Sequence, residues 1–164
     1  MAFTWYSVGL LEEFDSYSYT SQAINSQYAP SAPYYALSLD GPNRYVRKLL
    51  PETVQEVYVS YYFTATRFTD TMKAFYIGTS ANPYAYGYLQ YSSASGLMEA
   101  VIGTTIVGRF PVSLYTKTQI EIRYRNDATA GVFQVWQDGT LVVDYAGEIY
   151  DSTKLIDSVY WSST

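Results

Sequence analysis

The sequence of 164 residues contains no cysteine and no histidine. Without cysteine the chain can form neither disulfides nor thiolate metal sites, and it has no thiolate nucleophile. Without histidine it lacks the side chain that most often transfers protons near neutral pH and most often binds transition metals. These absences exclude serine–histidine and cysteine–histidine catalysis. We expect no catalytic residue, no metal site and no cofactor.

Charged residues are also scarce, at 15% of the chain, and the formal net charge is −5. No basic stripe is present to neutralise phosphates, so we expect no nucleic-acid partner, and anionic lipid is disfavoured for the same reason. Residues 1–5 lack a basic region followed by an apolar run, which predicts no signal peptide. No apolar stretch is long enough for a transmembrane helix, so we expect no membrane insertion.

Aromatic residues, in contrast, are abundant, with 20 Tyr, 7 Phe and 3 Trp. Such side chains suit the pleated, half-buried surface of a β-sheet better than a helix. Tyrosine also combines an apolar ring with a hydroxyl, which suits sugar rings and protein interfaces. The chain is 48% hydrophobic and long enough to bury a core, so residues 1–164 are predicted to form one domain.

Alternation of apolar and polar residues predicts β-strands at residues 54–64 and 118–125. In the first, Val57, Val59, Tyr61 and Phe63 share the predicted core face, while Glu56, Tyr58, Ser60 and Tyr62 share the other. In the second, Ile120, Ile122 and Tyr124 point inward, and Gln119, Glu121, Arg123 and Arg125 point outward. We interpret Glu121, Arg123 and Arg125 as a solvated face of alternating charge.

Asp138 and Gly139 suit a two-residue type I′ turn between strands at residues 132–137 and 140–145. This hairpin would place Trp136 opposite Leu141 and Val135 opposite Val142. Because the hairpin is apolar on both faces, Trp136 is interpreted as a core or subunit contact.

About ten short strands separated by turn residues, with no convincing helix, predict an antiparallel sandwich. Residues 16–35 are predicted to form a long covering loop, and the turn residues 40–43 to close a hairpin. Further strands are predicted at residues 8–14, 35–39, 44–49, 72–79, 84–91, 97–107 and 154–161.

Five stretches of the sequence, taken together, resemble the concanavalin A-like lectin/glucanase superfamily, the laminin-G-like jelly roll, especially its small copies in tailed-phage particle proteins. They are Phe14–Ser16, Val57–Phe63, Ile120–Tyr124, Val135–Val142 and Ile156–Trp161. The resemblance implies an all-β, antiparallel two-sheet jelly-roll sandwich (concanavalin-like). It also implies either carbohydrate binding or a structural role on a virion.

Glucanases of this superfamily carry Glu-x-Asp-x-x-Glu on one strand, and the sequence departs from that pattern. Glu121 is followed by Arg123, and Glu99 stands alone. The adjacent Glu12 and Glu13 would point to opposite faces of a strand and cannot form a catalytic pair. We therefore predict that the protein is not an enzyme.

Tyr84, Tyr86 and Tyr88 are the candidate carbohydrate-binding residues. At a spacing of two they would line one face of a strand, as a platform on which a sugar could stack. The alternative is that the row faces the core. Many laminin-G-like domains bind calcium, so a bound calcium ion stays an open alternative, although the scattered aspartates of this chain indicate no particular ligands.

The first functional hypothesis is a non-enzymatic virion structural protein, a capsid decoration or tail appendage located on the particle surface. It would bind other virion proteins or copies of itself through its tyrosine-rich loops and could also adhere to host glycans. The alternative is a carbohydrate-binding, lectin-like module for a cell-surface carbohydrate. An assembly protein should bury its tyrosines against partners, whereas a lectin should leave an aromatic groove open.

Overall fold

The computed structural model describes residues 2–7, 16–18, 23–25, 35–40, 45–65, 71–80, 86–149 and 155–162, and these contain strands but no helix. A membrane-spanning helix is accordingly absent from those ranges. The strands are β1 (Ala2–Ser7), β2 (Ser16–Ser18), β3 (Ala23–Asn25), β4 (Tyr35–Asp40), β5 (Tyr45–Val54), β6 (Glu56–Ala65), β7 (Met72–Gly78), β8 (Gly87–Ser92), β9 (Leu97–Ile102), β10 (Thr105–Phe110), β11 (Thr118–Arg125), β12 (Asp127–Gln137), β13 (Thr140–Ile149) and β14 (Ile156–Ser162).

The strands form two antiparallel sheets of seven strands each. The first sheet has the order β13-β12-β11-β6-β1-β4-β3, and the second has the order β10-β9-β8-β7-β14-β5-β2. The chain is therefore all-β, with the two-sheet architecture of a β-sandwich of the jelly-roll type.

One hydrophobic core contains side chains from both sheets. In the first sheet the ring of Tyr124 packs edge-on against Phe133, with 5.2 Å between ring centroids. In the second sheet the fully buried Phe75 lies against Trp161, with a centroid distance of 5.6 Å. The sheets meet closely at Gly87, where an added Cβ would overlap the ring of Tyr124. Only glycine leaves room for this contact.

The strands predicted from strict alternation are confirmed. In β11 buried and half-buried residues alternate over the whole strand. The hairpin of β12 and β13 is present, and Asp138 and Gly139 have φ angles of 50° and 77°, as a type I′ turn requires. Trp136 lies opposite Leu141 as predicted.

The predicted partner of Val135 is wrong by one residue. Val135 pairs with Val143 instead of Val142, because the register shifts between Val135 and Trp136. Such a bulge places two residues of one strand opposite one of the other, and a count from the turn does not reveal it.

The predicted hairpin across residues 40–43 is also wrong. β4 pairs with β1 and β3 in the first sheet, whereas β5 pairs with β14 and β2 in the second. A turn signal reports that the chain changes direction, and it does not report whether the chain also crosses to the other sheet.

Three other predicted segments differ from the structure. The covering loop predicted at residues 16–35 contains the strands β2 and β3. The strand predicted at residues 97–107 is two strands, β9 and β10, separated by a turn in which Gly103 has a φ of 60°. The strand predicted at residues 8–14 lies outside the described residues.

Candidate functional site

The outer face of the first sheet carries a row of side chains that crosses four strands. Ser60 of β6 lies opposite Glu121 of β11, Glu121 lies opposite Trp136 of β12, and Trp136 lies opposite Leu141 of β13. Their chain neighbours on β11 and β12 point inward, so alternation directs Glu121 and Trp136 away from the core. Neighbouring strands lie about 4.8 Å apart, which brings these side chains within reach of one small ligand.

A surface cavity of about 510 Å³ lies over this row. We call it the Trp136 cleft, and its lining residues are Tyr58, Val59, Ser60, Glu121, Ile122, Trp136 and Gly139. Ile122 is buried in the core and Val59 packs against the core. The side chains that give the cleft its chemistry are therefore aromatic and polar. Small-molecule sites typically occupy roughly 300–1,000 Å³.

Two aromatic side chains border the cleft. Trp136 is half-buried, and Tyr58 is 68% exposed. The phenol of Tyr58 donates a hydrogen bond of 2.9 Å to Glu56, and the guanidinium carbon of Arg123 lies 5.6 Å from the centroid of its ring. These contacts hold an exposed ring in place, although its other surface is open to solvent.

The polar side chains of the cleft are Glu121 and Ser60. The Ser60 hydroxyl accepts a hydrogen bond of 3.3 Å from the Gln119 amide. The half-buried Glu121 carboxylate forms neither a hydrogen bond nor an ion pair with any residue that the structure describes. The indole N–H of Trp136 likewise has no acceptor within the described ranges. A strong acceptor and a donor are thus left for a ligand.

The neighbouring row on the same face is fully paired. Arg123 forms an ion pair with Glu56 and donates a hydrogen bond of 3.4 Å to Gln134, whose amide donates one of 2.7 Å to Asp144. Burial raises the pKa of Glu56, but hydrogen bonds from Arg123 and Tyr58 outweigh it and lower the pKa below the usual value. Glu56 and Arg123 therefore stay ionised at neutral pH, and the row forms a fixed border beside the cleft.

The hairpin tip that carries Gly139 is fastened to β11. The backbone N–H of Asp138 donates to the carbonyl of Gln119 at 3.0 Å, and the backbone N–H of Gln119 donates to the Asp138 carboxylate at 2.8 Å. On the other side of Gln119, the ammonium of Lys117 lies 3.9 Å from the centroid of the Tyr62 ring. Turn chemistry and a cation–π contact thus fix this end of the face.

The structure does not bring the predicted tyrosine row together as a platform. Tyr84 lies outside the described residues. Tyr86 is only 2% exposed and belongs to the core, which is the alternative placement given for the row and leaves no open ring surface for stacking. Tyr88 is half-buried on the outer face of the second sheet, and its hydroxyl donates to the Gly103 carbonyl at 3.3 Å. The bend at Tyr86 breaks the alternation on which the row depended.

Of the two interpretations of Trp136, the core residue is wrong, since Trp136 lies outside the core cluster and lines the cleft, whereas the subunit contact stays a prediction. The outward face predicted for Glu121, Arg123 and Arg125 is confirmed, and both arginines form ion pairs there. That prediction overlooked Glu121 as a ligand-binding candidate. The sequence did contain a signal, because aromatic residues alternate on the outward face of β6 and an outward glutamate lies on β11. This signal indicates a site only once β6 and β11 are known to be neighbours in the sheet.

No three aspartates, glutamates, histidines or cysteines come together in the described ranges as a metal site would require. The lining of the cleft contains one carboxylate, that of Glu121. What the arrangement offers is a rigid aromatic and hydrogen-bonding surface.

The sequence matches no protein-family model and no curated protein. Among solved structures, the fold is similar to that of the carbohydrate-binding module CBM66 from Bacillus subtilis, with a TM-score of 0.58. The likeness covers 90% of this chain and 88% of that chain at 10% sequence identity. At this identity the likeness shows a shared fold.

Proposed function

We propose that the chain is a carbohydrate-binding module that holds a glycan in the Trp136 cleft. The observation that carries this proposal is the composition of the cleft, in which Trp136 and Tyr58 border the Glu121 carboxylate, which has no partner among the described residues. A sugar ring has apolar C–H faces and a hydroxyl edge, so it needs both kinds of surface at once. The fold of a known carbohydrate-binding module supports the same function by analogy.

Each side chain of the cleft has a role in this proposal. The Trp136 indole packs against the C–H face of one sugar and can donate its N–H to a ring or hydroxyl oxygen. Tyr58 adds a second apolar surface, held by Glu56 and Arg123. Glu121 accepts hydrogen bonds from sugar hydroxyls, which are strong because the acceptor is charged.

The proposed activity is binding without catalysis. Glycoside hydrolysis usually needs two carboxyl groups, roughly 5–10 Å apart across the scissile bond. The cleft lining contains Glu121 alone, and the nearby Glu56 is held in an ion pair by Arg123. A single carboxylate can bind and orient a sugar but cannot act as both acid and base or nucleophile on it.

The test is a glycan array followed by calorimetric titration of the best-bound glycan. We expect the wild type to bind at least one glycan class, and Trp136→Ala and Tyr58→Ala each to weaken that binding about tenfold or more. Such a loss equals about 1.4 kcal/mol, which is the size expected for one lost aromatic contact.

Tyr115→Ala is the matched control, because Tyr115 is 73% exposed and does not line the cleft. The affinity of the Tyr115→Ala variant for the glycan should equal that of the wild type. A blank array for the folded wild type, or full binding by both cleft variants, would contradict the proposal.

A Tyr88→Ala variant separates this site from the one predicted by sequence. Tyr88 lies on the second sheet, so its removal should leave glycan affinity unchanged if the Trp136 cleft binds the sugar. A loss confined to Tyr88→Ala would instead support the sequence prediction. The buried Tyr86 is unsuitable for this test, since its replacement would disturb the core.

Attachment to a virion is a separate proposal, based only on the resemblance to small phage-particle domains. In that proposal the tyrosines between residues 16 and 35 bind other virion proteins or further copies of the chain. Their side chains lie outside the described residues. Measurement of the mass of the purified chain, alone and with the suspected particle, tests it. A chain that stays monomeric and does not bind the particle would contradict the virion proposal.

A further inference from the structure

We infer that Glu121 makes the Trp136 cleft selective for neutral, hydroxyl-bearing glycans and excludes acidic ones. This inference rests on the proposed function and names the substrate class of the same site. It depends on the difference between Glu121 and the other carboxylates on this face of the sheet.

The described carboxylates nearest to Glu121 already have partners, and Glu148, which also lies on this face, is exposed near the end of β13 and does not line the cleft. Glu56 binds Arg123 and Tyr58, and Asp144 accepts from the amide of Gln134. Asp138 accepts the backbone N–H of Gln119. Glu121 lies among them without a hydrogen bond or ion pair to a described residue. Of these carboxylates, it is the one whose acceptor capacity is left for a bound molecule.

A ligand that covers Glu121 removes water from a charged group, and this desolvation must be compensated. Sugar hydroxyls compensate it because they donate charge-assisted hydrogen bonds to the carboxylate. A uronate or sulfate group brings acceptors and a second negative charge, so it leaves Glu121 unsatisfied and adds repulsion. The same carboxylate therefore attracts a neutral sugar and rejects an acidic one.

The cations near Glu121 do not reverse this preference. Arg123 is engaged by Glu56 and Gln134, so its guanidinium is already neutralised. Lys117 lies against the Tyr62 ring, on the opposite side of the Ser60–Glu121 row. Neither cation forms an ion pair with Glu121, so neither offsets the repulsion between Glu121 and an acidic glycan.

The experiment compares wild type, Glu121→Gln and Glu52→Gln on one polysaccharide array. The neutral probes are dextran, mannan and galactan, and the acidic probes are alginate, polygalacturonate and dextran sulfate. Glu52 is an exposed residue of β5 in the other sheet, so its variant changes net charge equally without touching the cleft. Circular dichroism of each variant checks folding.

We expect the wild type to bind a neutral probe and to bind the acidic probes at least tenfold more weakly. In Glu121→Gln the affinity for the neutral probe should fall about tenfold, because a neutral acceptor forms weaker hydrogen bonds. The ratio of acidic to neutral binding should rise at the same time. Glu52→Gln should match the wild type on every probe.

Two results would overturn the selectivity and leave the binding function standing. One is a wild type that prefers an acidic probe, and the other is a Glu121→Gln variant with unchanged affinities. A wild type that binds none of these probes and is blank on the wider glycan array would instead contradict the proposed function, and the selectivity with it.

Discussion

Glu121 on the outer face of the first sheet and Glu99 on the outer face of the second differ in the partners of their carboxylates. On the first sheet Glu121 is half-buried beside an aromatic cleft and has no partner in the described residues. On the second sheet Glu99 is only 3% exposed and has three partners. Gln90 and Arg109 each donate to it at 2.9 Å, and Ser95 donates at 3.4 Å.

The tyrosines of the two outer faces also differ in their exposure to solvent. Tyr58 and Tyr62 on the first sheet are exposed. Tyr76 and Tyr160 on the second sheet are cross-strand neighbours, and each is less than 5% exposed. A similar set of residue types thus leaves one acceptor, Glu121, without a described partner on the first face and forms a fully bonded cluster around Glu99 on the second.

The largest expected effect is a stability difference between two glutamate variants. Glu99→Ala removes a buried carboxylate and leaves its donors without an acceptor, so we expect the free energy of unfolding to fall by about 2 kcal/mol. Glu121→Ala removes a side chain without described partners, and its effect should stay below about 0.5 kcal/mol. Urea denaturation at pH 7 measures both. Equal losses would contradict the distinction between the faces.

A smaller effect is expected from removal of a single hydroxyl on each face. The hydroxyl of the buried Tyr160 donates to the Thr79 carbonyl at 3.2 Å, so Tyr160→Phe should destabilise the protein by about 1 kcal/mol. Tyr58→Phe removes an exposed hydrogen bond and should cost less than about 0.5 kcal/mol. Thermal and urea unfolding of the two variants measures these losses of stability. A larger loss of stability in Tyr58→Phe than in Tyr160→Phe would contradict the prediction.

The smallest expected effect is a pH dependence at Glu99. Burial raises the pKa of Glu99, but hydrogen bonds from Gln90 and Arg109 outweigh burial and lower it below the usual 4.5. The ionised group therefore stabilises the folded state above pH 4.5, and this contribution is lost as the pH falls through the lower folded pKa. The stability gap between wild type and Glu99→Gln should narrow from pH 7 to pH 3. Glu52→Gln is the control for the loss of one negative charge. A stability gap between wild type and Glu99→Gln that does not change with pH would contradict the lowered pKa of Glu99.

Much of the fold could be predicted because local alternation and turn chemistry specify it. β11 begins and ends at the predicted residues, and the turn at Asp138 and Gly139 has the predicted backbone. What could not be predicted was which strands pair across long sequence separations. β1 and β4 lie together in the first sheet, while β5 pairs with β14 near the other end of the chain.

The Trp136 cleft was missed for the same reason. Ser60, Glu121 and Trp136 come from three strands, and only the strand order makes them neighbours. Alternation alone correctly assigned Glu121 to an outer face. It gave no way to distinguish a glutamate with a partner from one without, which depends on the cross-strand register. Tyr84, Tyr86 and Tyr88 could be proposed from the sequence because their alternation lies within one short segment of it.

The wall of the cleft at Gly139 is pre-organised. Two hydrogen bonds between Asp138 and Gln119 fix the hairpin tip, one through the backbone and one through the carboxylate. The conformational entropy of this turn is therefore lost when the chain folds, and a ligand does not have to order it again. In the proposed glycan site, a wall of this kind lowers the entropic cost of binding on the protein side.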